Sequence, residues 1–228
     1  MPHKLEHDLP SARRIRQAVF GISHGIVSIL SLLAGLAAAG AGRVTIVITG
    51  TIGVCAGAVT LLSIEYLAAK SQKETVEGWM AHERTEWKRK PAHELKEMVD
   101  YYRKAGFAAG EVRMIVKRIS KKEGQWLEAH AAHVLHMFPG EVERPGREAL
   151  TLAGFHVVGG VIPLLPFVLV PVDYSLATSI FASLVLIFVV GCVKARITMK
   201  HWAWSGAEML VLTTAAVAVT FVIGTIAG

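Results

Sequence analysis

Long apolar stretches alternate with charged ones along this chain. In residues 17–67 the charged side chains are Glu65 and Arg43, and in residues 149–193 the charged side chain is Asp173. A bilayer core of about 30 Å needs roughly 20 apolar residues in a helix. Each of these two stretches is therefore long enough for two membrane spans, and a fifth apolar stretch ends the sequence.

The pattern predicts an all-α integral membrane protein with five transmembrane helices. We place the spans near residues 18–40, 44–67, 149–171, 174–193 and 206–227. The first is not a signal peptide, because its apolar stretch exceeds roughly 15 residues and a second span follows at once. Three domains follow: residues 1–69 with spans one and two, residues 70–148 as an insert, and residues 149–228 with spans three to five.

The insert is predicted to be helical almost throughout. Its first helix continues out of span two to about residue 90, because that stretch lacks proline and turn clusters. After the break at Pro91 we expect helices near 92–104, 109–120 and 123–138. These helices are expected to form a small bundle.

Positive charges are concentrated on one side of the predicted spans. Of the 24 Lys and Arg residues, four precede span one, sixteen lie between positions 70 and 147, three lie between 194 and 200, and the last is Arg43. The positive-inside rule then puts the N-terminus and residues 70–148 in the cytosol and the C-terminus outside it. The membrane would be the plasma (inner) membrane of a prokaryote or a vacuolar-type membrane of a eukaryote.

The remaining composition narrows the function only a little. The net charge of +6 is explained by topology, and no motif for nucleic-acid recognition accompanies it. Cys55 and Cys192 lie in predicted spans without CxxC spacing, so they indicate apolar packing.

Two Glu-x-x-Glu pairs flank Pro91, namely Glu83/Glu86 and Glu94/Glu97. Residues three apart share a helix face, so the carboxylates of each pair project together. One interpretation is a solvated face neutralised by nearby Lys and Arg side chains. The other is a divalent-cation site between two helices, since carboxylates are good ligands for such ions.

Histidines recur every three residues in the last helix of the insert, at His130, His133 and His136. Neutral imidazole is a good ligand for Fe(II), Mn(II), Zn(II) and Co(II). The stripe is either a polar surface with a core contact or a set of metal ligands. Of the three we select His130 and His133 as candidate ligands.

Ionisable residues inside spans mark transport pathways by default. We select His24, Glu65 and Glu208 for this role. His24 is expected about two turns, roughly 10 Å, below the cytosolic end of span one. Glu65 and Glu208 are expected at the cytosolic ends of spans two and five. Interfacial pairing of Glu65 and Glu208 with Lys70 or Lys200 is the alternative.

Small residues and prolines are placed at characteristic positions in the spans. GxxxG motifs at Gly21/Gly25 and at Gly53/Gly57 predict close helix approach, within the chain or between two copies. The stretch "GGVIPLLP" should bend or interrupt span three and free backbone carbonyls.

These features together resemble the vacuolar iron transporter family of proton-coupled ferrous-iron and manganese exporters. The resemblance rests on the five-span plan with its insert, on "EYLAAKSQKE", on the two Glu-x-x-Glu pairs, on "WLE" and on "GGVIPLLPF". It implies a homodimer whose cytosolic glutamates gather metal ions and pass them to a membrane path in exchange for protons. By motif match, Glu83, Glu86, Glu94 and Glu97 take the metal-binding positions of the family.

The chain departs from the family pattern at three places. His24 stands in "GISHG" where the family has Gly-x-x-Asp-Gly, and Leu61 follows Thr60 where it has methionine. His130 and His133 stand near the positions of its methionine and glutamate ligands. These departures bear on which ion is carried.

We therefore expect a transporter, not an enzyme, that exports Fe(II) or Mn(II), with Zn(II) and Co(II) as further candidate ions, without a tightly bound cofactor. The alternatives are a membrane-anchored metal-binding or ferroxidase module without transport, and a channel or scaffold whose insert binds a protein. A di-iron site is disfavoured, because it needs Glu-x-x-His motifs and no glutamate of the insert has a histidine three residues later.

Overall fold

The computed structural model describes residues 9–133 and 144–228, and every regular element within these ranges is an α-helix. In chain order they are α1 (Leu9–Ala38), α2 (Arg43–Arg89), α3 (Pro91–Lys104), α4 (Ala109–Ile119), α5 (Glu123–His133), α6 (Pro145–Leu169), α7 (Val172–Thr198) and α8 (Trp202–Ala227).

Five of the described helices, α1, α2, α6, α7 and α8, are long and apolar enough to cross a membrane. The predicted all-helical class with five candidate spans is thereby confirmed. Some boundaries differ: α7 continues to Thr198 instead of ending at 193. The extension contains Lys194 and Arg196, which favour helix and whose long apolar stems can reach from a bilayer edge to water.

The chain divides into two compact units, Met1–Glu65 with Gly146–Gly228, and Tyr66–Pro145. We call them the membrane unit and the insert unit. The boundary falls inside α2, which is a single helix of 47 residues, so the first insert helix continues out of span two as expected.

The core of the membrane unit joins α1, α2 and α6. A buried cluster contains Ile29 and Leu33 of α1, Ile46 and Val54 of α2, and Phe167 of α6. Burial of such side chains stabilises the fold by roughly 1.5–3 kcal/mol each in water, but in lipid close packing takes over this role. α1 also packs against α7 and α8, which pack against each other.

Glycines allow α1 and α6 to approach closely. A Cβ added at Gly25 would overlap the backbone of His156 and Gly160, and one at Gly159 would overlap the backbone of Ile22. Gly21 similarly faces the backbone of Leu152. The GxxxG motif of α1 therefore lies at a helix pair within the chain.

The prolines of α6 do not interrupt it. Pro163 and Pro166 lie inside a helix that continues to Leu169, so of the predicted bend or interruption the interruption is wrong. Side chains of other helices donate to carbonyls near the prolines: Ser179 Oγ of α7 donates to the carbonyl of Pro163 at 2.6 Å. Arg43 donates through Nε to the carbonyl of Phe167 at 2.7 Å, which completes the C-terminal turn.

The insert unit has a core of its own. Its buried cluster contains Met98, Tyr102, Val112, Val116, Trp126 and Leu127, contributed by α3, α4 and α5. The start of α4 is fixed by the carboxylate of Glu111, which accepts a hydrogen bond from the backbone N–H of Ala108 at 2.8 Å. The described part of α5 ends at His133, so the predicted continuation to 138, including His136, lies outside the described residues.

Candidate metal centre

Two helices of the insert unit bring carboxylates around one imidazole of a third helix. His130 Nδ1 lies 3.1 Å from Oε2 of Glu83, and His130 Nε2 lies 3.5 Å from Oε2 of Glu94 and 3.3 Å from Oε2 of Glu97. One ligand atom each from Glu83, Glu94 and His130 lies within 4.8 Å of the other two. We call Glu83, Glu94, Glu97 and His130 the carboxylate–histidine cluster.

Helical periodicity turns these polar side chains inward. In α3, Glu94 precedes Met98 and Tyr102 at intervals of four, and all three are buried. In α5, His130 follows the buried Trp126 by four residues. Residues four apart share a helix face, so the polar ligands occupy the same stripes as the core side chains.

Pro91 separates the two Glu-x-x-Glu pairs onto different helices. It is the first residue of α3, where a missing N–H costs nothing. The backbone N–H groups of His93 and Glu94 donate to the carbonyl of Lys90, which closes the first turn. Glu83 of α2 and Glu94 of α3 thereby face the same imidazole from two helices.

The cluster holds more acceptors than one neutral imidazole can satisfy. A neutral histidine carries one ring N–H and one lone pair, and Nε2 is within hydrogen-bonding range of Glu97 Oε2. Nδ1 then faces the carboxylate of Glu83 at 3.1 Å without hydrogen-bond geometry. A lone pair beside a carboxylate oxygen repels it unless a proton or a metal ion lies between them.

Burial makes this shortage of positive charge costly. Glu83 is 8% exposed, Glu94 4% and His130 1%. Burial raises the pKa of Glu94 above its ordinary value of 4.5; His130 and His93 oppose the shift, whereas the carboxylates of Glu83 and Glu97 add to it. The cluster therefore favours binding a cation or a proton.

Aromatic rings hold the imidazole in place. Trp126 stacks on His130 with ring centroids 5.5 Å apart, and it also stacks on Trp87 of α2 at 4.4 Å. Arg84 of α2 also pairs with Glu123 of α5 at 3.0 Å. A ligand ring that is oriented before an ion arrives binds it with a smaller entropic cost.

Two of the predicted ligands lie elsewhere. Glu86 pairs with Lys90 at 3.3 Å within the same turn region, as the solvated-face interpretation expected for that residue. The ring of His133 lies against Tyr101 and Tyr102, with centroids 5.2 and 5.7 Å away. Residues three apart on a helix diverge by about 60° around its axis, so His130 and His133 face different neighbours.

The membrane unit contains a second polar contact. Nδ1 of His24 in α1 lies 3.2 Å from Nδ1 of His156 in α6. Glu208 of α8 pairs with Lys194 of α7 at 3.3 Å, and not with Lys200 as its sequence position suggested. Glu65 is half-buried on α2. A vestibule shared by His24, Glu65 and Glu208 stays a prediction.

His156 was missed by the sequence analysis. It is fully buried and lies in the middle of predicted span three, where the rule applied to His24 selects it equally. What no pattern in one sequence reveals is that His24 and His156, 132 positions apart, are neighbours.

Comparison with known proteins identifies the family. The model of the VIT family matches residues 15–225 of the chain. The chain belongs to the VIT family. Vacuolar iron transporter 2 of Oryza sativa subsp. japonica is 31% identical over 91% of this chain and 85% of its own length. Vacuolar iron transporter proteins of Centaurea cyanus and Arabidopsis thaliana are 27% and 28% identical over 96% and 87% of this chain.

The comparison confirms the resemblance that the sequence motifs indicated. It supports a metal transporter with several membrane helices, and it agrees with the expectation that the chain is not an enzyme, because the relatives are named as transporters. Iron is the metal in those names.

Proposed function

We propose that this VIT-family protein exports divalent transition metal from the cytosol in exchange for protons, with Fe(II) as the first candidate ion. Mn(II), Zn(II) and Co(II) are further candidates, because carboxylate and imidazole ligands suit all four. In this proposal the insert unit is cytosolic and captures ions for the membrane path. The protein works as a homodimer and carries no tightly bound cofactor.

The observation that carries the proposal is the carboxylate–histidine cluster itself. Three carboxylates and one imidazole from three helices converge there; Glu83, Glu94 and His130 are buried, and Nδ1 of His130 faces Glu83 without hydrogen-bond geometry. A divalent ion offsets most of the negative charge of the three carboxylates. Glu83, Glu94, Glu97 and His130 are the proposed ligands, whereas Glu86 and His133 serve the surrounding structure.

Proton exchange fits the same ligands. Carboxylate and imidazole bind metal only when deprotonated, so each ion bound displaces protons and each proton bound weakens the ion. In the membrane unit His24 has the same chemistry and is the proposed residue of the transport path, with Glu65 and Glu208 as further candidates. A gradient of protons across the membrane would then drive metal release on the far side.

A membrane-anchored metal-binding module without transport is the second candidate. It is favoured by one observation: every residue of the carboxylate–histidine cluster belongs to the insert unit, so metal capture there does not by itself require a membrane path. The two candidates differ in whether metal crosses a bilayer.

Proteoliposomes with a metal-sensitive dye inside distinguish the two functions. The full chain is reconstituted, a pH gradient is imposed, and Fe(II), Mn(II), Co(II) or Zn(II) is added outside. We expect dye signal that depends on both the metal and the gradient. The absence of such a signal for all four ions, with protein that still binds metal, would leave the second candidate.

Matched variants test the role of the cluster in the same assay. Glu83→Gln and Glu94→Gln should lower metal affinity and slow the flux at limiting metal. Glu74→Gln and Glu77→Gln are the controls, because these glutamates lie on α2, as Glu83 does, in exposed pairs with Lys70 and Lys73. Equal effects of both sets would exclude a specific capture site.

A further inference from the structure

The contact between His24 and His156 has the geometry of a ligand pair. The two Nδ1 atoms are 3.2 Å apart and the ring centroids are 5.2 Å apart. Two nitrogen ligands at about 2.0–2.1 Å from one tetrahedral ion lie roughly 3.3–3.4 Å from each other. The observed separation is close to this value, so a metal ion needs little movement of either ring.

The environment of His156 directs its Nδ1 toward His24. The other ring nitrogen, Nε2, faces α2 at Gly57, where an added Cβ would overlap it. Nε2 is buried there and no described group is in hydrogen-bond geometry with it, so Nδ1 is the ring nitrogen that reaches His24. With the proton of a neutral imidazole on Nε2, the lone pair of Nδ1 is available to an ion.

Access and burial differ between the two rings. His156 is 0% exposed, whereas His24 is exposed at the surface of the described chain. His24 is therefore the outer ring of the pair and His156 the inner one. The crossing of α1 and α6 at Gly25 and Gly159 sets this spacing through backbone contacts, which are stiffer than side-chain contacts.

We propose that His24 and His156 form a second metal site, in the membrane unit, which binds a borderline divalent ion such as Fe(II), Co(II) or Zn(II) through the two Nδ1 atoms. The remaining coordination positions are left to water, which keeps the ion exchangeable. The site extends the proposed function by adding His156 to the residues of the membrane path. It rests on side-chain geometry, so it is tested by binding and not by transport.

Cobalt(II) binding to the full chain in detergent tests the site. In a variant with the insert cluster removed (E83Q, E94Q and H130Q), we expect one Co(II) to remain bound, with the visible absorption of a nitrogen-ligated ion. Adding H24Q or H156Q should weaken this binding at least about tenfold. H201Q is the control, because His201 precedes α8 as its exposed N-cap residue in the same unit.

A binding constant that is unchanged by H24Q and by H156Q would overturn the proposal and leave a hydrogen-bonded pair. A measurement on the unmodified chain covers the case in which a variant does not fold. X-ray absorption of protein with two equivalents of Co(II) should give about three imidazoles per two ions, whereas about one would contradict the site. If Co(II) binds here while the liposome assay shows no flux, the proposed transport fails and the second site stands.

Discussion

His130 and His156 are buried imidazoles with different partners. His130 faces three carboxylates, which suit hard and borderline cations. His156 faces another imidazole and no carboxylate within the described residues, which favours borderline ions over hard ones such as Mg(II). Selection at the second site would therefore be stricter than at the first.

Glu94→Gln tests the charge balance of the carboxylate–histidine cluster. Folding raises the pKa of Glu94 above 4.5, so the folded state binds this proton more tightly than the unfolded state. Without metal, the contribution of this proton to stability is fully present below the ordinary pKa of 4.5 and is lost as pH rises through the raised pKa of Glu94. The variant should lose this decline, and thermal unfolding of the full chain in a chelator, at pH values from 4 to 8, measures it.

The same substitution should have the opposite effect when metal is present. The variant loses one ligand and should bind Co(II) or Fe(II) about tenfold or more weakly. In the unmodified chain, affinity should fall as pH decreases toward the raised pKa of Glu94, because the proton competes with the ion. Glu77→Gln is the matched control, since Glu77 is exposed beside Lys73. A variant that keeps full affinity would remove Glu94 from the site.

The helices show which parts of the structure a single sequence predicts. Apolar length predicted all five candidate spans, and the uninterrupted stretch after Glu65 predicted the continuity of α2. The Glu-x-x-Glu spacing predicted that the two side chains of a pair share a helix face. It did not predict that Glu83 is buried and Glu86 is not, because that difference depends on tertiary contacts with α3 and α5. Of the bend or interruption predicted at Pro163, the interruption was wrong, since α6 continues to Leu169.

Gly159→Ala tests the contact between α1 and α6. A Cβ at position 159 would overlap the backbone of Ile22, and backbone atoms cannot rotate away, so the two helices must separate. Overpacking of this kind costs typically 1–3 kcal/mol. Gly154→Ala is the control on the same helix, because nothing lies within 4 Å of its added Cβ. The melting temperature in detergent, measured by size-exclusion chromatography as the loss of unaggregated protein on heating, should be lower for Gly159→Ala than for Gly154→Ala.

A result with equal melting temperatures for the two alanine variants would contradict the close crossing. If Gly159→Ala folds, the separation of α1 and α6 should also move His24 away from His156. Co(II) affinity of the membrane unit should then fall while that of the insert cluster is unchanged. This connects a packing contact to a chemical one without altering either histidine.

At the scale of the whole molecule, the two units divide the work of the proposed exporter. The insert unit has its own apolar core around the carboxylate–histidine cluster, and the membrane unit has another beside His24 and His156. A first site whose imidazole is stacked on Trp126 suits capture, and a two-imidazole site with open positions suits release. The distribution of positive charge predicts the side of the membrane on which the insert unit lies.

Single cysteines determine that orientation. In a chain with Cys55 and Cys192 replaced by alanine, Lys117→Cys puts an exposed thiol on α4, and Gly42→Cys puts one in the short exposed connection between α1 and α2. The positive-inside rule predicts that a membrane-impermeant maleimide labels position 42, but not 117, in intact cells. Inside-out vesicles should give the reverse pattern. Labelling of position 117 from outside would put the insert on the far side and would reverse the proposed direction of metal transport.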